Sequence, residues 1–188
     1  MGSFIDRLKE KQTLQKLFLC FWMYAVMGWC YEVILETFIY RWGFSNRGVL
    51  FGPYCPVYGV GALTFLLCFG KLMAKKDKLW LNIVKPVMIF LGCMAVATLI
   101  ELAASYILEA ATGSWPWQTY ASYKYNYEAR IALSTSVRFG IGGTAFMYIV
   151  QPFFDWILSK PKPKAINAAV ITVAVIVAAD CIYTFIIK

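Results

Sequence analysis

Histidine is missing from this chain of 188 residues, and only 15% of its residues are charged. Without histidine the chain cannot build a serine–histidine triad, a histidine-ligated metal site or a histidine proton relay. The sequence contains no Walker-type phosphate-binding loop either, so ATP hydrolysis would need a separate subunit. Its cysteines form no CxxC pair, and most lie in apolar runs, where cysteine behaves as a small hydrophobic residue. We therefore expect neither a metal nor a cofactor.

Hydrophobic residues make up 61% of the chain, and the mean hydropathy is +0.62. This composition is typical of a membrane protein. A membrane-spanning helix needs about 20 apolar residues. About five segments reach that length, and they cover residues 17–40, 53–73, 83–108, 131–158 and 165–187. The sequence predicts an all-α, polytopic membrane helix bundle that forms a single domain over residues 1–188.

The distribution of lysine and arginine predicts the orientation of this bundle. Most basic residues lie in three segments that fall on one side of the membrane, residues 1–16, 71–78 and 160–164. The positive-inside rule then places the N-terminus in the cytoplasm and the C-terminus outside. Residues 1–16 are charged and amphipathic and lack a signal-peptide cleavage site, which predicts an interfacial helix. We expect a multi-pass protein of a bacterial plasma membrane. Its net charge of +8 lies in short loops and does not indicate a nucleic-acid partner.

A cation and an irregular backbone stand directly before the second span, in Asn46-Arg47-Gly48 and in the glycine- and proline-rich run from Gly52 to Gly61. Irregular backbone at membrane depth is tolerated only where protein buries it or where it lines a cavity. Proline also suits the first turn of a helix, whose free N–H groups attract anions. The sequence predicts a broken or re-entrant start to the second span, with Arg47 and Tyr58 beside a binding site. A loop that packs only for stability is the alternative.

Several ionisable residues fall within the predicted spans. At about 1.5 Å per residue, they all lie in the outer third of a core about 30 Å thick. They are Glu32, Glu36, Glu101, Arg138 and Asp180. An ionised side chain that faces lipid costs several kcal/mol, so these groups should point inward and pair. Glu36, nearest the boundary, is expected instead to extend to the surface. The alternative for the set is an ion-pair network that only locks the helices together.

The segment 110–130 is rich in tryptophan and tyrosine and also contains Asn126 and Arg130. Aromatic residues of this kind form a belt at the membrane surface. A lid whose rings stack on a substrate is the functional alternative, and the two can coexist.

The sequence resembles a known family at several of these positions. They are Gly28-Trp29 with Glu32, the pattern Asn-Arg-Gly…Gly-Pro-x-Cys-Pro-x-Tyr-Gly-x-Gly at 46–61, Glu101, and the aromatic loop with Asn126 and Arg130. Over about residues 17–155 they are similar to the CmpB-type "putative ABC-transporter type IV" membrane proteins. Gln118 stands where the loop of that family has an acidic residue. The resemblance implies a helical membrane fold and a role in transport.

The residues together predict a transport component that binds a polar or anionic small molecule in an outward-facing charged pocket. Its predicted ligand-binding residues are Glu32, Asn46, Arg47, Tyr58, Glu101, Asn126, Arg130, Arg138 and Asp180. The expected partners are the lipid bilayer, the small molecule, and a separate ATPase subunit or a second copy of the chain. Two alternatives stay open. One is a membrane enzyme acting on lipid or isoprenoid phosphates at the outer leaflet, in which Glu32 or Glu101 would be the general base and arginines would hold the phosphate. The other is a non-catalytic assembly or sensor protein.

Overall fold

The chain is almost entirely helical in the computed structural model, which describes residues 11–74 and 79–187. Its elements are α1 (Lys11–Ile34), α2 (Pro56–Ala74), α3 (Leu79–Thr112), β1 (Asn126–Tyr127), β2 (Ile131–Ala132), α4 (Leu133–Ala145), α5 (Gln151–Ser159) and α6 (Pro163–Ile182). π-Helical segments extend α1 over Leu35–Tyr40, join α4 to α5 over Phe146–Val150, and extend α6 over Tyr183–Ile187, while a 3-10 helix covers Gln118–Ser122. Most of the predicted interfacial helix of residues 1–16 lies outside the described residues.

Four helices of the described residues are long and apolar enough to cross a membrane, namely Thr13–Tyr40, Pro56–Ala74, Leu81–Thr112 and Pro163–Ile187. Their most apolar windows are largely unburied, down to 0% buried in the last helix. An apolar surface of this extent requires lipid to cover it. The prediction of an all-α membrane protein is therefore confirmed. The predicted span 131–158 is also helical but is not one of the four, because Arg138, Gln151 and Asp155 interrupt its apolar sequence. The fifth crossing and the orientation remain predictions.

Prolines define where two of these helices begin. Pro56 opens α2 and Pro163 opens α6. A proline in the first turn forfeits no intrahelical hydrogen bond, because the N–H that it lacks has no partner there. The second span was predicted to begin at Pro53, whereas α2 begins at Pro56. Cys55, the residue before Pro56, donates its backbone N–H to the carbonyl of Ala25 in α1 at 2.8 Å. Residues 41–55 thus form a loop held against α1.

The chain divides into two compact units, and each is described by itself. The first unit comprises Met1–Thr64 and Phe153–Lys188. Its buried core joins Ala25 of α1 to Leu50 and Tyr54 of the loop, with Trp22, Val177 and Cys181 packed around them. Helices α1 and α2 approach each other closely at Gly28, where an added Cβ would lie 2.2 Å from the ring of Tyr58. Small residues of this kind allow membrane helices to pack closely.

The second unit, Phe65–Pro152, contains the end of α2, all of α3, the aromatic loop, the two short strands and α4. Two glycines bring α4 close to α3. A Cβ added at Gly140 would lie 2.7 Å from the ring of Phe90, and one at Gly143 would lie 2.6 Å from the Cβ of Cys93. The same two helices are also joined by a 2.7 Å hydrogen bond between the hydroxyls of Thr98 in α3 and Ser136 in α4. This pairing positions the polar residues of the second unit.

Candidate functional site

The residues predicted to bind a ligand are distributed over both units. Glu32, Asn46, Arg47, Tyr58 and Asp180 belong to the first, and Glu101, Asn126, Arg130 and Arg138 belong to the second.

Asp180 holds the loop before α2 from the opposite side of the first unit. Its two carboxylate oxygens accept hydrogen bonds from the backbone N–H of Phe51 at 2.9 Å, the N–H of Gly52 at 2.7 Å and the hydroxyl of Thr184 at 2.9 Å. The hydroxyl of Tyr54 donates to the same carboxylate. Burial and then the hydrogen bond to Asp180 raise the pKa of Tyr54 above its usual value, so this phenol remains a neutral donor. The acceptor positions of Asp180 are therefore occupied by the chain itself.

Both polar atoms of the Asn46 side-chain amide form hydrogen bonds, one within the loop and one to α1. Its Nδ2 donates to the carbonyl of Phe51 at 2.7 Å, and its Oδ1 accepts from the indole N–H of Trp29 at 2.7 Å. This arrangement ties the loop to α1. Asn46 thus acts as a structural crosslink in the described structure.

Arg47 pairs with Glu36, and the hydroxyl of Ser45 donates to the same carboxylate at 3.0 Å. Glu36 is only 4% exposed. The expectation that Glu36 extends to the surface is therefore wrong. The loop folds back over the π-helical end of α1 and brings a guanidinium to it, which makes burial of the charge tolerable. The positive charge of Arg47 is neutralised by this contact.

Tyr58 donates its hydroxyl hydrogen bond to Glu32, which joins α2 to α1. Cys55, directly before α2, is buried, and burial raises the pKa of its thiol, with the charge of Glu32 adding and that of Arg47 opposing. The thiol is consequently protonated and unreactive at neutral pH. In the first unit, then, the predicted residues are engaged by contacts within the chain, and Asn46, Arg47 and Asp180 hold the loop 41–55.

In the second unit, Arg130 lies between two aromatic rings. Its guanidinium carbon is 4.0 Å from the ring centroids of both Tyr106 and Trp115, which is the geometry of a cation–π contact. It also pairs with Glu109 at 2.5 Å and with Glu128 at 3.5 Å. Burial lowers the pKa of Arg130, but the hydrogen bond to Glu109 and the neighbouring charges raise it above its usual value. This arginine is charged, stacked and already neutralised.

A strained turn presents Arg130 to these partners. Glu128 and Ala129 both have positive φ, at 52° and 55°, and the N–H of Arg130 bonds to the carbonyl of Tyr127 at 2.9 Å. Residues other than glycine adopt this conformation at a cost of about 1–2 kcal/mol each. Asn126 stabilises the turn, because its Oδ1 accepts from the N–H of Ala129 at 3.0 Å. The turn connects β1 to β2, and the indole N–H groups of two tryptophans donate to its carbonyls, Trp115 to Ala129 and Trp117 to Arg130.

Glu101 makes one described hydrogen bond, in which the hydroxyl of Tyr120 donates to its Oε1 at 2.8 Å. Its other oxygen, Oε2, is buried and has no hydrogen-bond partner in the described residues. The Oγ1 of Thr135 is likewise buried and without a partner there. Burial and then the bond to Glu101 raise the pKa of Tyr120 above its usual value, while Thr135 acts in the opposite direction. Tyr120 therefore contacts both Glu101 and Thr135 as a neutral phenol.

Arg138 is exposed on α4. It forms no hydrogen bond or ion pair with any residue that the structure describes. Among the arginines predicted to bind a ligand, it is the one whose charge the described residues leave uncompensated.

An open groove lies beside β1 and β2 in the second unit and has a volume of about 430 Å³. Asn126, which was predicted to bind a ligand, lines it with Lys124 and Ser136. The rest of the lining is Tyr125, Tyr127 and apolar residues of β2 and the start of α4. The ammonium of Lys124 is 5.3 Å from the ring centroid of Tyr125. The sequence interpretation identified the aromatic loop but missed Lys124 and Ser136. The hairpin brings them to one surface. The sequence does not predict this hairpin, because its turn residues Glu128 and Ala129 include no glycine.

Apolar helices of membrane-spanning length and a polar aromatic loop define a polytopic α-helical membrane protein. Residues 19–185 match the model of the family described as "Putative ABC-transporter type IV", and the chain belongs to this family. The match covers both compact units and confirms the resemblance seen in the sequence. No curated protein and no solved structure matched the chain.

Proposed function

We propose that this protein is the membrane-embedded component of an ABC-type transport system, and that the groove of the second unit binds a polar or anionic small molecule. Membership of the transporter family supports the first part of the proposal. Since the sequence has no phosphate-binding loop, ATP hydrolysis belongs to a separate subunit. The orientation predicted from the basic residues puts the groove on the outer side.

One observation carries the second part, namely an uncommitted cation beside exposed aromatic rings in an open groove. Lys124 is exposed, and Tyr125 and Tyr127 are 63% and 54% exposed. Tyrosine rings offer an apolar face at little conformational cost, and an ammonium offers a flexible point charge. A volume of about 430 Å³ falls within the range of small-molecule sites.

The ion pairs of Arg47 and Arg130 support the assignment of ligand binding to Lys124. Arg47 is neutralised by Glu36, and Arg130 by Glu109 and Glu128. A ligand anion would have to displace a carboxylate to reach either guanidinium. Lys124 requires no such exchange, because its described contact is with the ring of Tyr125. We therefore move the ligand-binding role from Arg47 and Arg130 to Lys124.

Native mass spectrometry of the detergent-purified protein tests this proposal. We expect a co-purified polar or anionic small molecule with the wild type and its loss with Lys124→Gln. The matched control is Lys160→Gln, since Lys160 also lies over an aromatic ring, that of Trp156, but belongs to the first unit. Equal retention in both variants, equal loss in both, or no bound small molecule in any form would contradict the groove assignment. A bound lipid phosphate would instead favour the enzyme alternative.

A further inference from the structure

The polar cluster around Glu101 lies one helical turn from the groove and is not explained by ligand binding there. Glu101 lies on a membrane-spanning helix, and its Oε2 is sealed from solvent without a hydrogen-bond partner in the described residues. A buried carboxylate is strongly destabilising unless it is paired or neutralised. No ion pair to Glu101 exists among the residues that the structure describes. The acid therefore needs either a proton or a positive charge from outside the described chain.

The basic residues near Glu101 do not supply that charge. Arg130 reaches the Oγ of Ser105, one turn along α3, at 3.4 Å, but its guanidinium is committed to Glu109 and Glu128. Arg138 starts one turn beyond Thr135 on α4, and its side chain is exposed. Tyr120, the titratable group in direct contact with Glu101, is a neutral donor.

Thr135 provides an independent observation at the same place. It is 8% exposed, and its Oγ1 has no hydrogen-bond partner in the described structure although the atom is buried. A buried hydroxyl without a partner is uncommon, because it loses its hydrogen bonds to water without replacement. The side chain of Thr135 lies next to Tyr120, whose pKa it lowers, and Tyr120 is bonded to Glu101, so the two buried oxygens belong to one cluster.

We propose that the buried oxygens of Glu101 and Thr135 are ligands of a monovalent metal cation, of which sodium is the test case. Hard cations are bound by carboxylate, hydroxyl and carbonyl oxygens. The single negative charge of Glu101 balances a single positive charge. The described residues hold no group of three or more cysteine, aspartate or glutamate side chains that could bind a metal, which argues against a multivalent ion.

The neighbouring hydroxyls and the groove complete the arrangement. Thr98 lies on the same face of α3 as Glu101, three residues earlier, and its hydroxyl is 2.7 Å from that of Ser136. Ser136 follows Thr135 in α4 and also lines the groove. Ser136 thus places a hydroxyl at the groove that is hydrogen-bonded to a residue one turn from Glu101. The cation site does not depend on the identity of the groove ligand, or on whether one binds.

Thermal unfolding of the full chain in detergent micelles tests the site. A cation that binds the folded state raises the unfolding midpoint as its concentration rises. We expect sodium chloride to raise the midpoint above that in choline chloride at equal ionic strength. Glu101→Gln should abolish the difference, and Thr135→Val should reduce it. The matched controls, Glu32→Gln in the first unit and Thr144→Val at the end of α4, should keep it.

Direct binding of ²²Na⁺ by equilibrium dialysis separates a lost ligand from a lost fold. Because loss of even an outer partner of a metal ligand weakens affinity 10–100-fold, we expect Thr135→Val to bind sodium about tenfold or more weakly. Equal midpoints in sodium and choline, or equal sodium binding by Thr135→Val and the wild type, would overturn the proposal. So would a midpoint that depends on pH alone, which would assign a proton to Glu101. Groove ligand loss in Lys124→Gln is measured separately, so either proposal can fail alone.

Discussion

Asp180→Asn is the sharpest test of how the loop before α2 is held. Asp180 accepts four hydrogen bonds, two from backbone N–H groups and two from hydroxyls. Asparagine offers one acceptor oxygen and an NH₂ group that only donates. The hydroxyls of Tyr54 and Thr184 can turn round and accept from that group. The N–H groups of Phe51 and Gly52 cannot, and one of them loses its partner.

The expected loss follows from that single orphaned N–H and from the missing charge. Hydrogen bonds to charged groups contribute about 1.5–3 kcal/mol, and an unsatisfied buried donor costs about 1–3 kcal/mol. Asp180 is only partly buried, so we expect the free energy of unfolding to fall by about 1–3 kcal/mol. For a chain of this length the unfolding midpoint would fall by about 2–4 °C per kcal/mol. Thr184→Val, which removes one hydroxyl, should lower the midpoint less.

A local measurement identifies the loop as the affected part. Cys55 is buried, and burial raises the pKa of its thiol, so it should resist N-ethylmaleimide at neutral pH. Cys30 is exposed and serves as the internal control. In Asp180→Asn the loop opens more often, and labelling of Cys55, followed by peptide mass spectrometry, should accelerate while that of Cys30 stays constant. An unchanged Cys55 rate together with an unchanged midpoint would refute the view that Asp180 holds the loop.

Two further predictions concern helix packing and orientation. Gly28→Ala should destabilise the protein by about 1–3 kcal/mol, because the new Cβ overlaps the ring of Tyr58, whereas Gly61→Ala, with open space around it, should be nearly neutral in thermal unfolding. Cysteines introduced at Ser114 and Lys162 should react with a membrane-impermeant maleimide from outside and only after cell lysis, respectively, and the reverse pattern would contradict the predicted orientation.

The sequence was sufficient to predict the class of the fold, because about 20 consecutive apolar residues carry their own signal. The start of α2 was predicted within three residues, because proline is common at the first position of a helix and is therefore a local signal too. The loop before it was harder. Its glycines and prolines indicated irregular backbone, but the partner that holds it, Asp180, is 128 positions away from Gly52. No local pattern encodes such a contact.

The arginines show why residue type alone did not identify the binding residue. From the sequence, Arg47 and Arg130 were predicted to bind an anion. Their pairing with Glu36, Glu109 and Glu128 could not be foreseen, because a loop and a hairpin bring these residues together. The hairpin turn uses Glu128 and Ala129 at positive φ, without the glycine or asparagine that would have signalled it. The sequence shows that the loop is rich in aromatic residues. Only the structure shows that Trp115 packs on Arg130 whereas Tyr125 and Tyr127 line the groove.

These pairings also change how an Arg47→Ala experiment must be interpreted. Removing Arg47 leaves Glu36 buried without its counter-charge, and breaking a fully buried pair costs about 3–5 kcal/mol. The cost here is smaller because the side chain of Arg47 is 41% exposed, but it still acts on the loop that forms part of the core of the first unit. A ligand lost from Arg47→Ala would therefore report a disturbed loop as readily as a missing contact. Lys124 has no carboxylate partner among the described residues, so Lys124→Gln removes a positive charge without leaving a buried negative one. Only this second substitution separates ligand binding from stability.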